Sequence, residues 1–510
     1  MVRIPLKPPE YYRLSPRSSV DSNALLSVSD FEDFITPRRA TGRRFLFSRH
    51  PSSGAVLFYP RQFLHHVMRR IIPRGLGGLV RLIIGFLILL IALTGMLWPS
   101  YTHLPPHYQF LRQQASCSGI AGRGNPHNET VFIAAILYDP DGKLASGRWG
   151  HDLLRLINLL GEENVFLSIY ENESGDEGLT ALRDLEDQLP CRSSIQIELD
   201  LDMSTFPTVT VPGGGKRVKR TDYLAEMRNR ALQPLDEHPE IEYDKILYLN
   251  DVIFDPIDVL HLLFSTNSDE NGVAQYRAAC AVDFINAFKF YDTYATRDLE
   301  GYGIGLQFFP WFTSAGSGAS RKDVLEGKDA VRVRSCWGGM VAFDAKYFQR
   351  RENPVRFRAD PALFYDGSEC CIIHADIQDS SLDTTKTTDK GIYMNPFVRV
   401  AYDERSHSWL WVTRRFEKLY PLVHNIVNHM AGLPRYNPRR SEIPGQLVKD
   451  TLWVPDATDA RGGAFREVER VAGNDGFCAD GFGGYRGLSV IVEDRQPGQD
   501  GWEDIPLPSI

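Results

Sequence analysis

The hydrophobic pattern of residues 131–284 alternates between short apolar runs and longer amphipathic stretches. The apolar runs have the length of β-strands and read "VFIAAILY", "NVFLSIYE", "KILYL" and "AACAVDF". Apolar residues recur at helical spacing in "GRWGHDLLRLINLLG", "GDEGLTALRDLEDQL", "TDYLAEMRNRALQPL" and "IDVLHLLFST". Strands that alternate with helices predict an α/β fold, in which a mostly parallel sheet has helices on both faces. Ligands of such sheets bind beyond the carboxyl ends of the strands.

An unbroken apolar run occupies Leu82–Trp98, which holds seventeen residues and no charge. With Leu79 and Val80 it spans almost all of the roughly 30 Å of a bilayer core. Residues 1–80 carry thirteen Lys and Arg against five Asp and Glu, a net charge of +8, and the positive-inside rule places them in the cytosol. We therefore predict one transmembrane signal-anchor helix over residues 79–98 and a single-pass type II topology.

These patterns divide the chain into five predicted parts. They are a mostly disordered cytosolic tail (1–78), the transmembrane helix (79–98), a stem (99–125), a lumenal domain (126–435) and a C-terminal extension that packs on the domain (436–510), with a late strand in "LSVIV". All seven cysteines and the sequons at Asn128 and Asn172 follow the apolar run, as an oxidising secretory lumen would favour. The sequence does not reveal which cysteines pair.

The stretch "KILYLNDVIFDP" is an apolar strand interrupted by Asn250 and Asp251. Because an unpaired charge is costly inside a sheet, we place both residues at the carboxyl edge of the strand, where a ligand binds. Asp255 precedes Pro256 and is predicted to cap the next helix. Asp251 is the better metal candidate, although a hydrogen-bonded strand end is the alternative. One carboxylate can hold Mg²⁺ or Mn²⁺ when a diphosphate supplies further oxygens.

A second metal ligand is sought in "FYDGSECCIIHADI". His374 can ligate a metal, and Glu369 and Asp376 are candidates for a catalytic base or a charge stabiliser. If this stretch is a strand, Glu369 and His374 point to opposite faces and do not share one site without a bend. The alternative interpretation is that each of these residues is a hydrogen-bonded polar group with a structural role only.

The helix before "KILYL" carries Arg228 and Asn229, which could reach a nucleotide or could be solvated. The loop "VPGGGKRVKR" lacks the spacing of a P-loop.

Further candidates surround two other stretches. In "AACAVDFINAFKFYDTYATRD", Asp283 ends a strand and is a further catalytic candidate, and Asp292 and Arg297 lie in a polar and aromatic loop suited to sugar binding. In "VRSCWGGMVAFD", Trp337 could stack on a sugar beside two glycines or could belong to the core.

Six ordered motifs together resemble the fungal capsule-associated α-1,3-mannosyltransferase family, over roughly Val131 to Arg435. They are "GRWGHDLLRLINLLGEENVFLSIYEN", "YLAEMRNRALQPL", "KILYLNDVIFDP", "AVDF…FYDTYATRD", "RSCWGGMVAFDA" and "SECCIIHADI". The resemblance implies a type II Golgi membrane enzyme that transfers mannose from GDP-mannose to a glycan acceptor with retention of configuration. It also implies the nucleotide-sugar-binding GT-A fold and an Asp-x-Asp motif that holds Mn²⁺.

In this chain that motif falls on Asn250-Asp251-Val252, without the flanking acids of the wider fold. By the same resemblance, His374 corresponds to the late histidine that completes the metal shell, and Glu369 or Asp376 to the acid near the acceptor.

Two other functions compete with glycosyl transfer. The thin metal motif favours a catalytically weak lumenal scaffold of a glycan-synthesis complex. A glycoside hydrolase would need two carboxylates flanking the scissile bond, whereas the strand–helix alternation favours a nucleotide-sugar enzyme. We expect no nucleic-acid partner, and no residue identifies the acceptor or distinguishes mannose from another donor sugar.

Overall fold

A computed structural model describes residues 76–117, 119–172, 174–199, 201–365, 367–378, 389–456, 458–459, 461–479, 486–492 and 501–508. The first element is helix α1, Leu76–Leu97. Its segment Gly78–Leu97, with a mean hydropathy of 2.5, is the one helix among the described residues that is long and apolar enough to cross a membrane. This length and composition agree with the predicted span, and nearly all of the predicted cytosolic tail lies outside the described residues.

The remaining helices follow along the chain: α2 Pro106–Cys117, α3 Arg148–Leu160, α4 Gly175–Glu186, α5 Arg220–Glu237, α6 Pro256–Phe264, α7 Ala319–Glu326, α8 Glu369–Gln378, α9 Glu404–Thr413 and α10 Pro421–Met430. The strands are β1 Val131–Leu137, β2 Val165–Asn172, β3 Arg192–Glu198, β4 Thr208–Thr210, β5 Lys216–Val218, β6 Lys245–Leu249, β7 Ala278–Phe284, β8 Arg297–Asp298, β9 Val331–Ser335, β10 Met340–Asp344, β11 Ile392–Ala401, β12 Leu447–Pro455, β13 Gly463–Val471, β14 Leu488–Ile491 and β15 Trp502–Ile505.

The central sheet has nine strands in the order β3-β2-β1-β6-β10-β7-β11-β9-β8. The first four strands are mutually parallel, and β10 runs antiparallel to both β6 and β7. Strand β9 is antiparallel to β11 and to β8, so β9 and β10 alone among these nine oppose the common direction. The predicted α/β fold with a mostly parallel sheet and helices is confirmed.

Both faces of the sheet are covered, and β6 shows why its sequence is apolar throughout. All five residues of β6 are buried. Ile246 and Tyr248 pack in one core with residues of α5 and α8, whereas Leu247 and Leu249 pack in the other with residues of α3 and α6. A strand buried on both faces needs apolar side chains on both, so only its ends can carry polar groups at low cost.

The strands and helices predicted up to Phe284 are present to within a few residues, and "LSVIV" contains β14. Part of the predicted basic loop is strand β5, which pairs with β4. Residues assigned to the stem include α2, whose Tyr108 and Leu111 are buried. The predicted C-terminal extension also contains the β12–β13 hairpin.

Two disulfides lie in the described part of the chain. Cys280–Cys336 joins β7 to the residue before Trp337, and Cys371–Cys478 joins α8 to the C-terminal region. The second disulfide attaches the C-terminal extension to a helix that faces the sheet.

Candidate active site

Asn250 and Asp251 directly follow β6, at the carboxyl edge of the sheet. The Asn250 N–H donates to the Gly339 carbonyl over 3.0 Å, and the Trp149 indole N–H donates to the Asn250 carbonyl over 3.0 Å. The turn before β10 requires glycine, because Gly338 has φ +60° and a Cβ there would clash with the Ala281 carbonyl. The end of β6 is therefore held rigidly from two sides.

The Asp251 carboxylate is poorly compensated. Among the described residues it has no side-chain hydrogen-bond partner, and its burial raises the pKa of the carboxyl above the ordinary value. The positive charge of Arg228 counteracts this shift, whereas the negative charge of Asp139 adds to it. By contrast, the exposed Asp255 accepts the Ile257 N–H over 2.9 Å and caps α6, as predicted. Asp251 is thus the carboxylate that a bound cation would stabilise.

Arg228, on α5, connects Asp251 to a buried polar and aromatic cluster. Its Nε donates to Glu369 Oε1 over 3.2 Å, and its guanidinium carbon lies 4.3 Å from the centre of the Trp337 ring. The Trp337 indole N–H donates to Asn250 Oδ1 over 3.3 Å. One nitrogen of the guanidinium, Nη1, is buried without a partner among the described residues. Arg228, Glu369, Trp337 and Asn250 therefore form one connected group beside Asp251.

Asp292 and Asp283 support the turn that carries Trp337. Asp292 Oδ2 accepts the Trp337 N–H over 2.9 Å and the Gly338 N–H over 3.3 Å. Asp283 in turn accepts the Asp292 N–H over 3.1 Å and the Tyr402 hydroxyl over 3.0 Å. Burial, together with the nearby charge of Asp292, raises the pKa of Asp283 to about 8. Burial thus favours the protonated form of Asp283, which belongs to a network that positions the turn.

Three polar residues that the sequence analysis did not assign to the site line the same edge. Asp139 follows β1, and its carboxylate accepts the N–H groups of Leu144 and Ala145 over 2.8 and 2.9 Å. Glu171 and Asn172 end β2, and both are buried. Polar residues directly after a buried strand were the available signal, as in "YDP" and "YEN".

Glu171 and Asn172 each leave one polar atom unpaired. Glu171 Oε1 accepts the Ser174 N–H over 2.6 Å, but its Oε2 has no partner among the described residues. Asn172 Oδ1 accepts the Tyr223 hydroxyl over 3.3 Å, and its Nδ2 has no partner there. Burial raises the pKa of Glu171. The burial of Asn172 also removes it from the surface where a glycan would attach, while Asn128 of the other sequon is exposed.

The structure places four sequence candidates in other contacts. Asn229 exchanges hydrogen bonds with the backbone of Phe357, both over 2.8 Å. Arg297 donates to the carbonyls of Phe477 and Cys478 over 3.1 and 2.6 Å, which anchors the C-terminal region.

Asp376 accepts two hydrogen bonds from Arg358, each over 2.9 Å. These contacts use both oxygens of its carboxylate.

His374 lies on α8, since "ECCIIHADIQ" forms a helix rather than the strand considered from the sequence. Its Nδ1 contacts the Cys370 carbonyl over 2.8 Å, and its Nε2 lies 3.9 Å from Cys280 Sγ. Complete burial lowers the pKa of His374 to about 4. Its ring also contacts that of Phe343, which pairs with Ile246 in β6. His374 therefore packs against the interior of the sheet, whereas Asp251 lies beyond the carboxyl end of β6.

The described residues give a limited fit to a metal ion. His374, Cys280 and Cys336 bring their ligand atoms within 4.8 Å of one another, but both cysteines are consumed by a disulfide and offer no thiolate. Asp251 offers one carboxylate without competing side-chain hydrogen bonds. A single carboxylate ligand fits an ion whose other ligands are phosphate oxygens and water. It does not fit a metal site in which the protein supplies every ligand.

The chain has several distant structural similarities. They include the mannosyltransferase PcManGT from Pyrobaculum calidifontis in complex with GDP-Man and Mn²⁺ (11% identity, 67% of this chain and 74% of that chain, TM-score 0.32). S. aureus TarS 1-349 in complex with UDP-GlcNAc is similar at 8% identity over 54% of this chain and 59% of that chain, with a TM-score of 0.26. Mannosyl-3-phosphoglycerate synthase from Rubrobacter xylanophilus is similar at 15% identity over 73% of this chain and 94% of that chain, with a TM-score of 0.27. No curated protein matches the sequence.

The family of the domain follows from its sequence. Residues 130–376 match the family described as Cryptococcal mannosyltransferase 1, and this match covers β1 to α8 and thus all of the cluster around Asp251 except Tyr402. The function class of such a domain is glycosyl transfer from a nucleotide-sugar donor. Residues 130–376, just under half of the chain, therefore form a cryptococcal mannosyltransferase-like domain.

Proposed function

We propose that this protein transfers mannose from GDP-mannose to a glycan acceptor, with the donor bound across the carboxyl ends of β2, β1 and β6. The observation that carries the proposal is the set of unpaired buried polar atoms at this edge: Glu171 Oε2, Asn172 Nδ2 and Arg228 Nη1. A buried polar atom without a partner is costly, so a ligand that supplies the partner is favoured.

The chemistry of Glu171 Oε2 is suited to guanine. A guanine edge presents N–H donors, which this free carboxylate oxygen can accept. Asn172 follows Glu171 in the strand and points to the other face of the sheet, so its free amide would donate to another part of the donor. Strand β2 is two positions from β6 in the sheet, so Glu171 and Asp251 are separated by about 10 Å across the strands. A nucleoside diphosphate is long enough to place its base near the first residue and its phosphates near the second.

The diphosphate end of the donor would lie beside Asp251 and Arg228. A Mn²⁺ or Mg²⁺ ion bound there would neutralise the diphosphate as it leaves the sugar. Asp251 would hold this ion, and the free Nη1 of Arg228 would donate to a phosphate or sugar oxygen. Glu369, through its ion pair with Arg228, would keep the guanidinium in place. The guanidinium of Arg228 covers one face of Trp337, and the indole N–H donates to Asn250. Trp337 would therefore position Asn250 and Arg228.

The finer assignments rest on the family resemblance. They are an α-1,3 linkage, retention of configuration and a Golgi location with the domain in the lumen. The apolar segment Gly78–Leu97 supports a membrane anchor through its length and composition.

The donor site is tested with Glu171→Gln, which keeps the shape of the side chain and removes its charge. In the full-length protein in detergent, we expect KM for GDP-mannose to rise about 10- to 100-fold, with preference for GDP over UDP as an inhibitor reduced. Glu186→Gln, the same change on the exposed side of α4, should leave both unchanged. If Glu171→Gln preserved KM and base preference, the base would bind elsewhere. Absence of GDP-mannose turnover in the unmodified protein with Mn²⁺ would favour the scaffold alternative.

A further inference from the structure

Helix α10 is oriented with its polar side inward. Its buried residues are His424 and Asn428, one helical turn apart. His424 Nε2 contacts the Leu306 carbonyl over 3.1 Å, and Asn428 Oδ1 accepts the Leu306 N–H over 2.9 Å. Arg321 Nη1 also lies 2.9 Å from His424 Nδ1. These contacts fix the rotation of the helix about its axis.

The opposite side of α10 is apolar and exposed. The exposed fractions of its large side chains range from 37% to 80% at Leu422, Val423, Ile426, Val427 and Met430, which we call the apolar face of α10. Their spacing places them on one side of the helix. A surface helix of a soluble domain normally turns such a side to the core. A continuous apolar surface that is exposed in this way marks a binding surface.

The start of α10 lies beside the end of the apolar segment of α1. A turn of 3-10 helix, Arg414–Leu419, directly precedes α10. From this turn, Arg415 Nε donates to the Gly95 carbonyl over 3.1 Å, and the Phe416 ring contacts Gly95, where any Cβ would clash with it. Gly95 belongs to the same compact unit as α10. The next residues, Met96 to Trp98, have exposed side chains. The point at which the span would leave the bilayer is thus fixed against the turn that leads into α10.

The charges around this face match a phospholipid surface. The turn carries Arg414, Arg415 and Lys418, which are partly exposed although each also donates to a backbone carbonyl. Its one acid, Glu417, is paired with the buried Arg399 over 2.6 and 2.9 Å. Helix α10 itself contains no Asp or Glu, although the chain as a whole has a net charge of −8. Basic groups beside an exposed apolar stripe are typical of helices that lie in a membrane interface, where phosphates meet acyl chains.

We infer that the apolar face of α10 inserts into the interface of the bilayer that α1 crosses, and that it holds the domain against the membrane at a second point. The inference rests on the membrane anchoring proposed above. Attachment at two points restricts the orientation of the sheet edge relative to the membrane, which a single flexible stem does not.

The test uses the full chain, one copy per phosphatidylcholine nanodisc, with a photoreactive group on the lipid acyl chains. Peptides labelled by lipid are then identified by mass spectrometry. Because the face lies at the acyl boundary, residues 421–430 should be labelled at least about fivefold more than the β12–β13 hairpin. That hairpin is the matched reference, since its Leu447 and Val471 are 63% and 65% exposed.

Two double variants complete the design. Leu422→Asp with Ile426→Asp should lower labelling of α10 about fivefold or more and leave labelling of residues 78–97 unchanged, because charged side chains are costly among acyl chains. Leu447→Asp with Val471→Asp should change neither signal. Labelling of α10 at the level of the hairpin would overturn the inference while the anchor remained supported. Labelling absent from residues 78–97 as well would overturn the anchoring itself. In a parallel sample with two copies per nanodisc and a bifunctional cross-linker, cross-links between the α10 helices of two chains, lost in the α10 variant, would identify a second copy as the occupant and also overturn the inference.

Discussion

Asp251 and Asp255 lie four positions apart and have different roles. Asp255 is exposed and its carboxylate accepts an N–H at the start of α6, whereas Asp251 is held at the strand end without a side-chain partner among the described residues. An isosteric change at Asp251 therefore removes charge without breaking a hydrogen bond between side chains. A change at Asp255 breaks a helix cap.

We predict that Asp251→Asn lowers GDP-mannose turnover on the order of 10²-fold or more, because the leaving diphosphate loses the ligand of its metal ion. The melting temperature should stay the same or rise, since a poorly compensated charge is removed. Asp255→Ala should instead lower the unfolding free energy by about 1 kcal/mol and leave turnover intact. Turnover and thermal unfolding of the full-length protein in detergent measure both. Near-normal turnover in Asp251→Asn would remove Asp251 from the proposed site.

Asp283 predicts how stability depends on pH. In the unfolded chain its carboxyl titrates near 3.9, whereas in the folded protein burial and Asp292 raise its pKa to about 8. Between these values the folded protein holds a proton that the unfolded chain has released. The contribution of Asp283 to the free energy of unfolding is therefore fully present below about pH 4. As the pH rises from there to about 8, this contribution is lost by up to about 1.4 kcal/mol per pH unit.

Asp283→Asn cannot lose this proton, so we predict that its melting temperature falls less than that of the unmodified protein between about pH 5 and pH 8. The difference between the two proteins isolates Asp283 from other groups that titrate in this range. Melting curves that shift in parallel with pH would show that Asp283 is ionised in the folded state.

Part of the candidate site could be predicted from the sequence. Asn250 and Asp251 interrupt an apolar strand, which marks a sheet edge, and Trp337 stands beside glycines that a tight turn requires. Glu171 was overlooked because it reads as the polar end of an ordinary strand. Its role depends on strand order, since only the adjacency of β2, β1 and β6 brings it to the edge that holds Asp251. The position of His374 depended on the type of its element, which local sequence did not determine.

Helix α8 shows how tertiary contacts override a local pattern. "CCIIHADI" contains apolar and β-branched residues that a strand also accepts, and it is too short for periodicity to decide. In the structure, Cys371 is bonded to Cys478, Glu369 pairs with Arg228 and His374 packs on Phe343. These contacts come from distant parts of the chain, so no local window of sequence contains them.

The Cys371–Cys478 disulfide should stabilise this helix and the C-terminal region together. The two cysteines are 107 residues apart, and cross-links that close loops of this length contribute typically about 2–4 kcal/mol. We predict that Cys371→Ser with Cys478→Ser lowers the unfolding free energy by about this amount and reduces turnover, because α8 carries Glu369. Denaturant unfolding and GDP-mannose turnover are the measurements.

The matched control is Cys191→Ser, which changes a free and partly buried cysteine on the far side of the sheet. It should cost less than the double variant and preserve turnover. Equal stability of the double variant and the unmodified protein would contradict a stabilising role for this cross-link.

At the scale of the whole molecule, strand–helix alternation predicted the class of fold but not its strand order. Strand β10 inserts antiparallel between β6 and β7, and it thereby brings Gly339 and Trp337 to Asn250. This pairing joins residues about 90 positions apart, and sequence periodicity carries no information on such distances. The site is therefore a product of topology, and its ligands should couple parts of the chain that are remote in sequence.

That topology leads to a prediction about how GDP and a metal ion stabilise the molecule together. Among the described residues, Asp251 is the one carboxylate proposed to hold the metal ion, so Mn²⁺ alone should bind weakly, whereas GDP supplies oxygens that complete its shell. We predict that GDP with Mn²⁺ raises the melting temperature of the full-length protein by more than the sum of the two separate shifts. Asp251→Asn should abolish this excess and keep the shift due to GDP, because the base contact at Glu171 remains. A large shift with Mn²⁺ alone would reveal a metal site formed by protein ligands, which would contradict coordination by a single carboxylate.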